Sequence, residues 1–256
     1  MGQLDHLFSL DRRTALVSGG NSGIGLALAR ALGLQGARVV LVARRDALLQ
    51  EATRGLADDG IETMYAVADL ASADGPDRVS EAVRRGGWSI DVIVNAAGIN
   101  LRQPFLDVTP EAFDLHIAVH LRAPFRLTQL FAPAMAERGW GRILNLASLQ
   151  SSRAFANSAP YGAAKGGVVQ LTRAIAEAWS THGITCNAIA PGFFPTELTA
   201  PVFADPARAA ANAAQTAIGR NGTLPDLYGA AIFLASDASA YVTGQTLYVD
   251  GGYTAK

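Results

Sequence analysis

Cysteine is nearly absent. Cys186 is the only one in 256 residues, so no disulfide can form within the chain, and a reducing compartment is the expected setting. Charge is scarce too: Asp, Glu, Lys and Arg make up 17% of the residues, and 22 acidic against 21 basic side chains leave a formal net charge of −1. So even a balance, with no long basic run, argues against nucleic acid or an anionic membrane as partners. Arg12-Arg13 and Arg44-Arg45 are local pairs only. No stretch approaches the ~20 uninterrupted apolar residues of a membrane span. The first ten residues carry Asp5 and His6 and no apolar run, which speaks against a signal peptide. The expected address is the cytoplasm. Internal repeats, low-complexity tracts and Pro/Gly-rich linkers are also missing, so one domain over 1–256 is expected.

What the sequence does have is apolar material. Half of its residues are hydrophobic, enough for a large core, and the low charge leaves little to keep copies of the chain apart. Short β-branched runs near 14–18, 38–43, 62–68, 92–95, 142–147, 185–189 and 246–249 are apolar at consecutive positions, the mark of strands buried on both faces. Between them lie helical stretches near 24–35, 47–58, 73–85, 110–137, 161–181 and 225–234. Repeated βα units predict an α/β fold: a doubly wound parallel sheet of about seven strands, with helices on both faces. The least regular stretch, 196–221, is Ala-rich and follows a Pro-Gly pair. A substrate lid is expected over 194–221, since ligand loops gather at strand ends; an ordinary helical connection is the plainer alternative.

The first predicted strand runs into Ser18-Gly19-Gly20-Asn21-Ser22-Gly23-Ile24-Gly25, and a helix follows at once. Glycines let a backbone turn tightly and approach a phosphate closely. The helix N-terminus then offers free N–H groups to an anion. No Gly-Lys-Ser/Thr ends the turn, which excludes an NTPase phosphate loop. The second strand closes on Val42-Ala43-Arg44-Arg45. An acid there would bind a ribose 2′-hydroxyl, whereas an arginine can pair with a 2′-phosphate, so Arg44 and Arg45 favour NADP(H) over NAD(H).

The turn spacing G-x-x-x-G-x-G, then Asn95-Ala96-Ala97-Gly98, Ser148, Tyr161-x-x-x-Lys165, Pro191-Gly192, Thr196 and Asp250-Gly251-Gly252 occur in this order. In this pattern, from about residue 10 to the end, the chain resembles the short-chain dehydrogenase/reductase family, and within it the gluconate 5-dehydrogenase branch. The resemblance implies a Rossmann-type fold and a homotetramer, paired through helices 110–137 and 161–181. It implies a dinucleotide held by Gly19, Asn21, Ser22, Gly23, Ile24, Gly25, Asp69, Leu70, Asn95, Ala96 and Gly98. Pro191, Gly192, Phe194 and Thr196 would hold its nicotinamide end. Asp69 would meet the adenine amino group, or would simply cap the following helix.

Tyr161 and Lys165, four residues apart, share one helix face. A phenol is ordinarily too weakly acidic to serve as a base near neutrality, its pKa being about 10. A nearby ammonium and the positive nicotinamide ring favour the phenolate. Ser148 would hold the substrate oxygen while Tyr161 gives or takes the proton, and Lys165 would hold the nicotinamide ribose. His120 departs from the family pattern by standing where most members place an asparagine; it would hold a water, relay the proton, or simply pack.

Arg102 and Arg153 are the candidate partners of a substrate carboxylate, with Phe193 beside them. Phe155, Phe193, Phe194 and Phe203 would equally suit an apolar pocket. The expected activity is hydride transfer between NAD(P)(H) and a carbonyl or secondary alcohol, with a sugar acid or polyol as the small-molecule substrate. A 3-oxoacyl thioester reductase and a non-catalytic nucleotide-binding regulator are the alternatives.

Overall fold

The computed structural model describes residues 4–256. Its strands are β1 (Thr14–Ser18), β2 (Arg38–Ala43), β3 (Thr63–Val67), β4 (Val92–Asn95), β5 (Gly141–Leu146), β6 (Ile184–Pro191) and β7 (Thr246–Val249). They form one sheet in the order β3-β2-β1-β4-β5-β6-β7, and every neighbouring pair is parallel. Strands β1, β4, β5 and β6 are buried along their whole length. Such strands must be apolar at successive positions, because both faces are covered.

The helices are α1 (Asp5–Phe8), α2 (Gly23–Leu34), α3 (Asp46–Asp58), α4 (Gly75–Arg85), α5 (Pro110–Ile117), α6 (Ala123–Glu137), α7 (Ala159–Trp179), α8 (Ala200–Phe203), α9 (Pro206–Gln215) and α10 (Tyr228–Ala235). One core layer joins Leu28 and Leu32 of α2, Leu49 and Leu56 of α3 and Leu234 of α10 to the sheet. The opposite layer does the same with Val79 and Val83 of α4, Leu127 and Phe131 of α6 and Ile175 of α7.

The strand order reverses between β1 and β4, which are neighbours, with Ser18 beside Asn95 in the register. Loops leaving two such strands diverge, and the crevice between them is where open parallel sheets take their ligands. Ser18 ties the crevice together: its hydroxyl accepts from the N–H groups of Ala96 (3.1 Å) and Ala97 (3.2 Å).

Two elements differ from the sequence reading. The helix expected over 110–137 is interrupted by a π turn at Ala118–Arg122, where the Ala123 N–H reaches the Ala118 carbonyl five residues back. Pro124 has no N–H to offer the His120 carbonyl four residues back, so the wider turn takes over. The helix expected over 225–234 divides into a 3₁₀ turn at Leu224–Leu227 and then α10. The segment 194–221 holds the short helices α8 and α9.

Candidate active site

The glycine turn is a cradle that side chains would fill. Gly19 lies at φ +66°, and a Cβ there would stand 2.8 Å from the Ala97 Cα; one on Gly25 would stand 2.2 Å from the Gly19 carbonyl oxygen. Both positions require glycine for close packing of α2 against the sheet and the loop after β4. Beside the turn runs a cleft of about 530 Å³. It is lined by Gly19, Asn21, Ser22, Gly23, Ile24, Gly25, Arg44, Arg45, Asp69, Leu70, Ala96, Gly98 and Thr196, all expected from the sequence. The Asn21 Nδ2 is buried and has no hydrogen-bond partner, a donor aimed where none of this chain's acceptors meets it. Such a cradle, with a bare donor and the α2 N-terminus, fits a dinucleotide phosphate.

Asn95 is placed differently. It is buried, and its Nδ2 donates to Asn145 Oδ1 at 2.8 Å, while Asn145 donates to Thr172 (2.9 Å). Its side chain therefore braces β4 against β5 instead of lining the cleft. Asp69 accepts from the Ala71 N–H (3.0 Å) through one carboxylate oxygen, closing its own turn. Arg44 lines the cleft without an ion-pair partner among the described residues, whereas Arg45 pairs with Glu197 at 2.8 Å. Glu197 carries no motif that would single it out in the sequence.

A second cavity of about 400 Å³ adjoins the cleft. The two share Ile24, Ala96, Gly98, Asn100, Thr196 and Leu198, so one furrow runs along the strand ends. Ser148, Tyr161, Lys165, His120, Arg102, Pro191, Gly192, Phe193 and Phe194 line this second part. Tyr161 and Lys165 sit in the opening turns of α7, which starts at Ala159 with Pro160 in its first turn, a position where the missing N–H costs nothing. Ser148 follows β5 and caps the 3₁₀ turn Leu149–Ser151, its hydroxyl accepting from the Gln150 N–H at 3.1 Å.

The charges here differ from a simple ammonium–phenol pairing. Burial pushes the Tyr161 phenol above its ordinary value, while a hydrogen bond with Ser148 and the Arg102 guanidinium pull it back. Lys165 donates to the Leu146 carbonyl, and its ammonium lies 5.7 Å from the Tyr161 ring centroid. Burial brings Lys165 down to about 7. Desolvation therefore outweighs the pull of ammonium on phenol.

His120 is buried in the π turn, and its ring meets Tyr161 edge-on at 5.3 Å. Nε2 faces the Ile99 carbonyl oxygen at 2.9 Å, and Nδ1 is buried without a partner. Burial first, then the Lys165 ammonium, holds the imidazole well below its usual value, so it is neutral. The Ile99 N–H approaches the same Nε2 at 3.3 Å; in the shorter contact Nε2–H donates to the carbonyl, which leaves Nδ1 as an acceptor.

Phe194 turns its ring into the core under Gly222, while Phe155 and Phe193 meet edge-on along the cavity wall and Tyr253 packs against both. Arg153 lies outside this cavity: its guanidinium donates to the Lys256 carbonyl at 2.9 Å and sits over Tyr253. In its stead Arg208 of α9 lines the cavity with Arg102. The sequence offered one signal for Arg208, a cation in the first turn of a helix, where anions are favoured.

Among known proteins, a family model described as enoyl-(acyl carrier protein) reductase matches residues 19–254. Gluconate 5-dehydrogenase of Gluconobacter oxydans (strain 621H) is 40% identical over 248 residues, 97% of each chain. The 5-keto-D-gluconate 5-reductase of Escherichia coli (strain K12) is 36% identical over 249 residues, 97% of this chain and 98% of its own. The crystal structure of a gluconate 5-dehydrogenase from Burkholderia cenocepacia J2315, in complex with NADP and tartrate, superposes with a TM-score of 0.94 at 38% identity, covering 99% of this chain and all of that one. With the dinucleotide cradle and the motif order already described, these matches make the chain a member of the short-chain dehydrogenase/reductase family, an NAD(P)-dependent oxidoreductase of CH–OH groups.

Proposed function

We propose that the protein interconverts a secondary alcohol and a ketone on a sugar acid, with NADP(H) as the preferred dinucleotide. The observation that carries the reading is the Tyr161 phenol and the Ser148 hydroxyl together on the wall of a cavity that no carboxylate lines among the described residues. The relatives that act on gluconate and 5-keto-D-gluconate, and the one crystallised with tartrate, support an acidic substrate. When bound, the nicotinamide supplies or accepts the hydride.

The chain's own residues manage the proton and the oxygen. Ser148 holds the substrate oxygen. Tyr161 gives its proton to the forming alkoxide in reduction, and removes one from the alcohol in oxidation. A phenol kept protonated by burial suits the donor role. The neighbouring Ser148 and Arg102 pull it down and so bring it nearer to the acceptor role. Lys165, anchored on Leu146, orients the nicotinamide ribose, and neutral His120 steadies the loop at Ile99 beside the phenol. Replacing Tyr161 by Phe is expected to lower kcat by roughly 10²–10⁴-fold with dinucleotide affinity retained. Full activity in that variant would overturn the assignment.

Arg44 supports the NADP(H) preference, being the cation at the end of β2 that Glu197 leaves free. A ratio of kcat/KM for NADPH over NADH above one, falling at least tenfold in Arg44→Ala, is the expected result; a wild-type preference for NADH would end this part of the reading. The lid over 194–221, a cytoplasmic setting and a homotetramer belong to the same proposal. They draw support from the two short helices at the cavity edge, the lone buried Cys186 and the half-exposed Phe113 and Phe125 on α5 and α6.

A further inference from the structure

We infer that Arg208, carried on α9, recognises the acid group of the substrate and gives this chain its preference for acids over neutral polyols. The inference rests on the sugar-acid reading above and assigns it to a residue outside every motif that led there. Three charged side chains line the second cavity, Arg102, Lys165 and Arg208, and no Asp or Glu joins them among the described residues. Neither guanidinium has an ion-pair partner among the described residues. Like charges lining one hollow repel one another, and an entering anion relieves that repulsion.

Of these cations Arg208 is the one set for the task. Arg102 follows Asn100 and Leu101, which line the dinucleotide cleft, on the loop after β4. The carboxylate of an open-chain sugar acid oxidised near the far end of its chain lies several bonds from the reacting carbon, and Arg208 reaches the hollow from a different element. Arg208 is also absent from the lining of the dinucleotide cleft, so its charge is not spent on phosphates. Its backbone position is firmly set. Asp205 caps α9 by accepting from the N–H groups of Ala207 (3.0 Å) and Arg208 (3.3 Å), and Pro206 fixes the first turn. Asn221 holds the helix from the far side through the Ala209 carbonyl at 2.9 Å. The Asp205 cap already takes the N–H groups at the α9 N-terminus, so the acid group would be met by the guanidinium of Arg208 itself.

The test compares D-gluconate with D-sorbitol, its neutral counterpart of equal length, in the wild type, Arg208→Gln and Arg208→Lys, with NADP as oxidant. The ratio of kcat/KM for gluconate over sorbitol is expected to fall roughly 10- to 100-fold in Arg208→Gln, through KM for gluconate, and to recover in part in Arg208→Lys. A ratio within twofold of wild type, or an equal loss on both substrates, overturns the inference. A wild type that turns over neither compound overturns the sugar-acid reading alone. The dissociation constant of gluconate from the NADP-loaded protein then decides: a tenfold weakening in Arg208→Gln upholds the role of Arg208, and an unchanged value removes it.

Discussion

Lys165 shows how much a single side chain can cost and still be kept. Burial brings its ammonium down to about 7, far below the ordinary lysine value near 10.4. Between those two values the unfolded chain binds the proton that the folded protein has released, so stability rises with pH across that window. The penalty is fully present below about pH 7 and gone above about pH 10.4. Lys165→Met, of similar length and without charge, is therefore expected to raise Tm at pH 7, by about 2–4 °C for each kcal/mol of burial penalty removed. The gain should shrink toward pH 10, and dehydrogenase activity should be lost. Calorimetry at the two pH values beside an activity assay checks this, and an equal or lower Tm at pH 7 would show that the Leu146 carbonyl satisfies the charge. Activity and stability pull apart at such sites because a group poised for chemistry is seldom one the fold would choose.

At the scale of elements, most of the architecture was legible because burial on both faces leaves a plain trace: Val39 to Val42, and Ile93 with Val94, are apolar at consecutive positions and fully buried. The glycine turn was legible for the same kind of reason, since a backbone that must nearly touch Ala97 admits no side chain. What escaped the sequence were features decided by contacts distant along the chain. The π turn at Ala118–Arg122 follows from one missing donor at Pro124, yet a proline near the start of a helix usually signals nothing of the kind. Arg153 and Arg208 look alike as isolated arginines. Only the folded chain ties the first to the carbonyl of Lys256 and leaves the second facing the cavity. Asn95 shows the reverse case: a motif residue whose side chain the structure spends on joining β4 to β5.

At the scale of the molecule, several large apolar side chains remain on the surface. Phe105 and Leu106 are 78% and 95% exposed, and Phe113 and Phe125 lie half in solvent on α5 and α6. Single exposed apolar residues are ordinary; Phe113 and Phe125 stand out because they lie on helices of the stretch expected to pair between subunits. The proposed homotetramer predicts a light-scattering mass near four times the 26.7 kDa of the chain. Phe125→Glu is expected to shift that mass downward, and a wild-type monomer would remove the oligomer from the proposal.

Helix α9 buries none of its residues. Substitutions along such an element change folding free energy by only about half a kcal/mol either way, so its side chains can be rewritten while the sheet below stays as it is. A descendant of this enzyme could trade its taste for acids for another chemistry by drifting through ten surface positions, leaving the proton and hydride machinery untouched.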